Sequence, residues 1–122
     1  MFGYIMVGTN DKERAVPFYD ELMKELGCQR LYEIMHITAW GTSPDQPQLM
    51  VCTPLNKKEA TVGNGSMVAL ALPSREDVDR LHAKALSLGA KNAGDPGDRP
   101  GGMYCAYFRD LDGNKFNFHA AG

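Results

Sequence analysis

The chain has 122 residues, a formal net charge of −2, 43% hydrophobic and 23% charged residues, which fits one ordinary soluble domain. The absence of a basic block or arm argues against nucleic acid or an anionic membrane as the main partner. No apolar run approaches the roughly 20 residues of a membrane span, and Cys28, Cys52 and Cys105 lack the CxxC spacing of a zinc or redox motif, which fits reduced thiols in the cytoplasm.

Tyr4 to Gly8 reads as a first strand, with no basic leader ahead of it to suggest a signal peptide. Asn10 or Asp11 then offers a helix cap, with Glu13 as a capping-box partner of Asn10. Val16, Tyr19, Met23 and Leu26 recur at helical spacing, Phe18 and Leu22 widen the apolar face, and Gly27 is a natural stop. Pro17 is awkward inside such a helix and predicts a kink near Glu13 to Pro17. Three short strands follow, at about 30–34, 37–41 and 48–53, with 42–47 as a turn before the last. Residues 54–65 are polar and glycine-bearing and read as a loop.

The pattern then restarts. Ser66 to Leu72 reads as a strand, and Ser74 caps a second helix whose buried stripe is Val78, Leu81, Ala85 and Leu88, ended by Gly89. His82 lies near that stripe and reads as structural. Ala90 to Ala93 reads as a short strand, and the run of glycine, proline and aspartate from Gly94 to Gly102 predicts a flexible loop carrying Arg99. Met103 to Arg109 and Lys115 to His119 read as strands joined by an Asp112-Gly113-Asn114 turn, which Asp110 and Asp112 serve.

Each half therefore runs strand, helix, three strands. Tyr4 and Met67 hold matching places in the two leading strands, as do Asp11 and Ser74 at the helix starts, and both pairs are 63 residues apart. The expected fold is α+β: two βαβββ modules, about 1–54 and 66–122 around a linker at 55–65, forming a curved mixed sheet around a concave cavity with helices on the outer face. The whole of 1–122 counts as one domain.

Three segments carry a family resemblance. The lead Gly63-Asn64-Gly65-Ser66-Met67-Val68-Ala69, the turn Arg109-Asp110-Leu111-Asp112-Gly113-Asn114-Lys115 and the helix Asp11-Lys12-Glu13-Arg14-Ala15-Val16-Pro17-Phe18-Tyr19 together resemble the vicinal-oxygen-chelate superfamily. That superfamily holds glyoxalase I, bleomycin-resistance proteins, fosfomycin-resistance enzymes and extradiol dioxygenases. The resemblance implies four inward ligand positions for a divalent ion, usually His or Glu. Carried onto this chain they are Tyr4, Met67, Asn117 and Met50. A phenol, two thioethers and a carboxamide make a poor site for such an ion, so no metal and no cofactor is expected. Relatives commonly pair, so the resemblance also implies a homodimer.

His119 lies two residues from Asn117, so strand alternation puts both on one face. An imidazole titrating near neutrality there is a candidate ligand contact or general base, with Tyr4 as the other candidate acid or base. His36 shares parity with Thr38 and Trp40, which read as inward. Trp40, Tyr104, Tyr107, Met6, Met50 and Met67 are expected to line an apolar cup suited to a flat or aromatic small molecule. Tyr4, Asn117 and His119 would orient that molecule, and Arg99 is a candidate arm over an anionic ligand. The sequence thus supports three readings. One is a metal-independent small-molecule binder. Another is a glyoxalase-like lyase or isomerase using His119 or Tyr4. The third is a non-catalytic regulatory or interaction module.

Overall fold

A computed structural model describes residues 1–121. The chain divides into two compact units, one ending at Val62 and the other beginning at Gly63. The first holds β1 (Tyr4–Gly8), α1 (Lys12–Lys24), β2 (Gln29–Ile34), β3 (Ile37–Gly41) and β4 (Gln48–Cys52). The second holds β5 (Val68–Ala71), α2 (Arg75–Ser87), β6 (Lys91–Arg99), β7 (Met103–Arg109) and β8 (Lys115–Ala121). The eight strands form two four-stranded sheets, ordered β1-β4-β3-β2 and β5-β8-β7-β6. In each, the leading strand pairs in parallel with the closing strand and the other pairings are antiparallel. The α+β class and the twofold βαβββ pattern are those expected.

In the first unit Asp11, rather than Asn10, caps α1: its carboxylate accepts the Arg14 N–H at 3.1 Å. Asn10 instead accepts the Ala60 N–H at 2.6 Å and so ties down the loop after β4. The helix is 13 residues long, shorter than its apolar periodicity suggests, because the chain turns out through Gly27 at φ +74°. Pro17 sits inside it, where its missing N–H leaves the Glu13 carbonyl without its helical donor. Ala15, Phe18, Tyr19, Leu22 and Met23 form the buried stripe. They cover the sheet face that carries Trp40, Leu49 and Val51, where the Trp40 and Tyr19 ring centroids lie 5.6 Å apart. The Trp40 indole N–H donates to Asp20 at 2.9 Å, and the same carboxylate accepts from Arg30. Burial alone would raise the Asp20 carboxyl, but the hydrogen bonds from Arg30 and Trp40 and the Arg30 charge outweigh it and hold the group below its usual range.

The second unit repeats the device. The Ser74 hydroxyl accepts the Asp77 N–H at 3.1 Å, capping the helix, and donates to the Asp77 carboxylate at 3.0 Å. Helix α2 buries Val78, Leu81, His82 and Ala85. Phe108, Phe116 and Phe118 are fully buried, with Phe108 centred 5.2 Å from each of the other two rings. His82 is buried, and its Nε2 lies 3.0 Å from the Tyr107 carbonyl. A carbonyl only accepts, so Nε2 carries the hydrogen.

The expected flexible loop at Gly94 to Gly102 is overturned. Strand β6 runs through Gly94, Asp95, Pro96 and Gly97 to Arg99, paired with β7. Its place at the sheet edge explains why loop-like residues survive there, since an edge strand tolerates a proline that donates nothing. The register slips on both sides of Gly94, and the reversal is made by Pro100, Gly101 and Gly102, the two glycines at φ +91° and +79°. At the next hairpin Asp110 accepts the N–H groups of Asp112 and Asn114 at 2.9 and 2.8 Å, with Gly113 at φ +91°. That is the turn role expected of it.

Candidate functional site

Register partners share a face of a sheet, so the pairing sorts the candidate residues without ambiguity. In the first unit Trp40 pairs with Leu49 on the helix-covered face, while Tyr4 pairs with Gln48 and Met6 with Met50 on the other. Thr38, paired with Val51, lies on the helix side as well. Trp40 was expected to line the cup. It is instead fully buried under α1, because its ring completes the Phe18–Tyr19 cluster and its N–H reaches Asp20. His36 falls in the turn between β2 and β3 rather than on an inward row.

In the second unit Tyr104 also belongs to the helix side. Its hydroxyl donates to Asp79 of α2 at 2.6 Å, and the Arg75 guanidinium lies 4.8 Å from its ring centre. The Asp79 hydrogen bond, with some burial and the Asp79 charge, pushes the phenol up from its ordinary value and keeps it neutral. Tyr104 is therefore committed to the helix and is withdrawn from the expected lining.

The helix-free face of the second sheet holds most of the rest. Asn117 pairs with Ala69 on one side and Tyr107 on the other, and His119 with Ala71 and Cys105. His119 Nδ1 lies 2.8 Å from the Asn117 amide oxygen, so Nδ1 carries the hydrogen and Nε2 is left as the basic nitrogen. Asn117 is 4% exposed, while His119 is half-buried. The Tyr107 ring leans over Gly94, where a Cβ would meet its Cδ1 at 2.8 Å. Arg99 is on this face too, its guanidinium 5.4 Å from the Tyr107 ring centre and donating to the Asp95 carbonyl at 2.8 Å. Met67 lies just ahead of β5 and is 46% exposed.

Sequence reasoning passed over Lys91, Arg109 and Lys115. They form one cross-strand row on this same face, and the Lys115 ammonium sits 5.3 Å from the Tyr107 ring centre on its own account. The signal was available: Lys115, Asn117 and His119 alternate along one strand, and the Asp-Gly-Asn hairpin sets Arg109 opposite Lys115.

The matching face of the first unit is apolar. Tyr4, 57% exposed, and Met6 lie on edge strand β1, beside the buried Met50. Cys52 shares this face; burial raises its thiol, with Lys12 opposing weakly. Two clefts of about 340 and 330 Å³ open in the first unit, one lined by Lys12, Glu13, Val16, Pro17 and Glu33, the other by Thr9, Asn10, Thr53, Pro54, Lys57, Lys58 and Glu59. Neither contains a residue expected from the sequence to act in binding or catalysis.

The positions carried over as metal ligands, Tyr4, Met50, Met67 and Asn117, contribute neither imidazole nor carboxylate. No three His, Cys, Asp or Glu among the described residues come together as a metal site. This donor set does not fit a divalent ion that prefers nitrogen and charged oxygen. No helix among the described residues is long and apolar enough to cross a membrane.

Comparison with known proteins agrees with the architecture. A glyoxalase/bleomycin resistance protein from Albidiferax ferrireducens T118 is 36% identical, with a TM-score of 0.90 over 100% of this chain and 99% of its own. The hypothetical protein SA1046 from S. aureus is 23% identical with a TM-score of 0.75, over 99% of this chain and 92% of its own. The lactoylglutathione lyase from Agrobacterium tumefaciens shares the fold at 14% identity and a TM-score of 0.72, over 98% of this chain and 92% of its own. No curated protein matches. The model of the Glyoxalase/Bleomycin resistance protein/Dioxygenase superfamily matches residues 1–118, and the chain belongs to that superfamily.

Proposed function

We propose that this protein binds a small, flat or aromatic molecule without a metal, and that the helix-free face of its second sheet supplies the recognising groups. The observation that carries the reading is the His119–Asn117 pair at 2.8 Å, set beside the Tyr107 ring. A buried carboxamide that fixes an imidazole, next to an aromatic surface, is the kind of convergent polar set that orients ligands in small-molecule sites. Metal independence rests on the donor chemistry of Tyr4, Met50, Met67 and Asn117.

The same pair supports a second reading, a glyoxalase-like lyase or isomerase. Asn117 holds Nδ1, which leaves Nε2 of His119 free to take a proton from a carbon acid. Tyr4 stays in this reading only as an exposed phenol on β1.

Three free cysteines support a reducing, cytoplasmic setting. An edge strand that exposes Tyr4, Ile5 and Met6 supports a homodimer as the partner state, with no nucleic acid or membrane partner.

The test is a thermal-shift and calorimetric screen of aromatic compounds on protein treated with a chelator. The expected result is stabilisation that survives chelation and falls at least tenfold in affinity in His119→Ala, since a ligand that binds only the folded state raises its melting point. Turnover by chelated protein that His119→Ala abolishes selects the lyase reading. A binding response that appears only after metal is added back overturns metal independence, and no response to any compound leaves the non-catalytic module.

A further inference from the structure

Charges on the two faces of the second sheet are treated differently. On the helix side, Arg75 meets Asp98 at 2.8 Å and Arg80 meets Asp77 at 3.1 Å. On the helix-free side, Lys91, Arg109 and Lys115 stand in one cross-strand row, and Arg99 lies further along β6. None of these four has a carboxylate partner among the described residues. Arg109 donates to the Gly113 carbonyl at 2.9 Å and Arg99 to the Asp95 and Asp98 carbonyls at 2.8 and 3.3 Å. Arg99 and Lys115 both sit against the Tyr107 ring, at 5.4 and 5.3 Å. Neutral dipoles and an aromatic ring satisfy geometry but leave the positive charge uncompensated. Like charges set directly opposite across strands oppose folding, and here two consecutive pairings, Lys91 with Arg109 and Arg109 with Lys115, are both like-charged. The chain, acidic overall at −2, gathers uncancelled positive charge on this one face.

From that juxtaposition we infer that the ligand carries an oxyanion, a carboxylate or a phosphate monoester, seated on the Lys115–Arg109 pairing, with its flat body directed past Tyr107 toward Asn117 and His119. The inference rests on the reading above that this face binds a small molecule, and it names the chemical class of that molecule. Arginine and lysine at such a site act through charge and hydrogen bonds together, and the Tyr107 ring keeps the Arg99 and Lys115 heads in place before the anion arrives.

The experiment measures binding of three matched probes, 2-naphthoate, 2-naphthyl phosphate and the neutral 2-naphthamide, by calorimetry at low salt and at 0.5 M salt (about a 4 Å screening length). At least one anion should bind ten or more times as tightly as the amide at low salt. That preference should shrink at least threefold at high salt and fall at least fivefold in Lys115→Gln and in Arg109→Gln. Lys57→Gln, in the first unit, should leave it unchanged. Whichever anion prevails separates carboxylate from phosphate. Equal binding of all three probes overturns the oxyanion and leaves the small-molecule reading standing. A preference untouched by both substitutions overturns the assignment to this row, and no binding of any probe sinks both readings. Far-UV circular dichroism of each variant confirms that it folds; should one substitution prevent folding, the other carries the test.

Discussion

The helix-free faces of the two sheets occupy corresponding places in a repeated βαβββ pattern, yet they carry opposite chemistry. In the first unit that face presents Tyr4, Met6, Ile37, Ala39, Met50 and Cys52, with Tyr32 and Gln48 satisfying one another through a 2.8 Å hydrogen bond. In the second it presents the Lys91–Arg109–Lys115 row, Tyr107, Asn117 and His119. The helix-covered faces, by contrast, are built alike, with aromatic and aliphatic side chains under an amphipathic helix. The repeat is therefore preserved where burial demands it. Where one face is free of that demand, the two copies have gone separate ways, and candidate function sits on the copy that diverged toward charge.

The largest expected effect tests that division of labour. Phe118→Ala removes a fully buried ring packed against Phe108 and should cost about 3–5 kcal/mol in urea unfolding. Lys115→Gln, on the opposite face of the same strand, should stay within about 0.5 kcal/mol and lean toward stabilising, because it removes a like-charge pairing with Arg109. A Lys115→Gln cost as large as that of Phe118→Ala breaks the comparison. Gly94→Ala falls between them. Its new Cβ would meet the Tyr107 ring at 2.8 Å, so the ring must shift, at about 1–2 kcal/mol in the same measurement. A neutral outcome would mean that the ring is not held where the cation pair needs it.

Much of this was legible in the sequence. Both helices, their caps at Asp11 and Ser74, their glycine stops and the Asp110 turn follow from local chemistry, and local chemistry decided them. That Asn117 and His119 share one face followed from alternation alone. Three things did not. Strand β6 reads as a loop because its pairing with β7 is long-range and edge strands accept glycine and proline. Trp40 was placed on the wrong face because alternation gives two faces without saying which the helix covers, and its hydrogen bond to Asp20 decides that; Tyr104 stands three residues from Tyr107 in one strand, so alternation itself puts the two on opposite faces, and its hydrogen bond to Asp79 fixes it on the helix side. The cation row was only half legible: the hairpin sets Arg109 opposite Lys115, but Lys91 joins them only through the β6–β7 register.

A small, pH-dependent effect sharpens the likeness of the helix sides. Each helix bears an aspartate whose carboxyl is held below its ordinary value: Asp20 against burial by hydrogen bonds from Arg30 and Trp40, and Asp77 by hydrogen bonds from Arg80 and Ser74. A carboxyl lowered in the folded state contributes stability that is fully present above its unfolded value and is lost as pH falls through the folded one. The stability difference between the native protein and Asp20→Asn should therefore be flat from pH 7 to about 5 and shrink as pH falls below the ordinary aspartate value of about 3.8. Because the Asp20 and Arg30 side chains are 36% and 40% exposed, water screens the pair and the pH-dependent part should stay under about 1 kcal/mol. Asparagine keeps an acceptor for the Trp40 N–H, so the part that persists at low pH measures packing and the part that vanishes measures charge. A difference that grows on acidification would mean that burial, not Arg30, dominates at Asp20, and the two helix sides would then no longer share one electrostatic design.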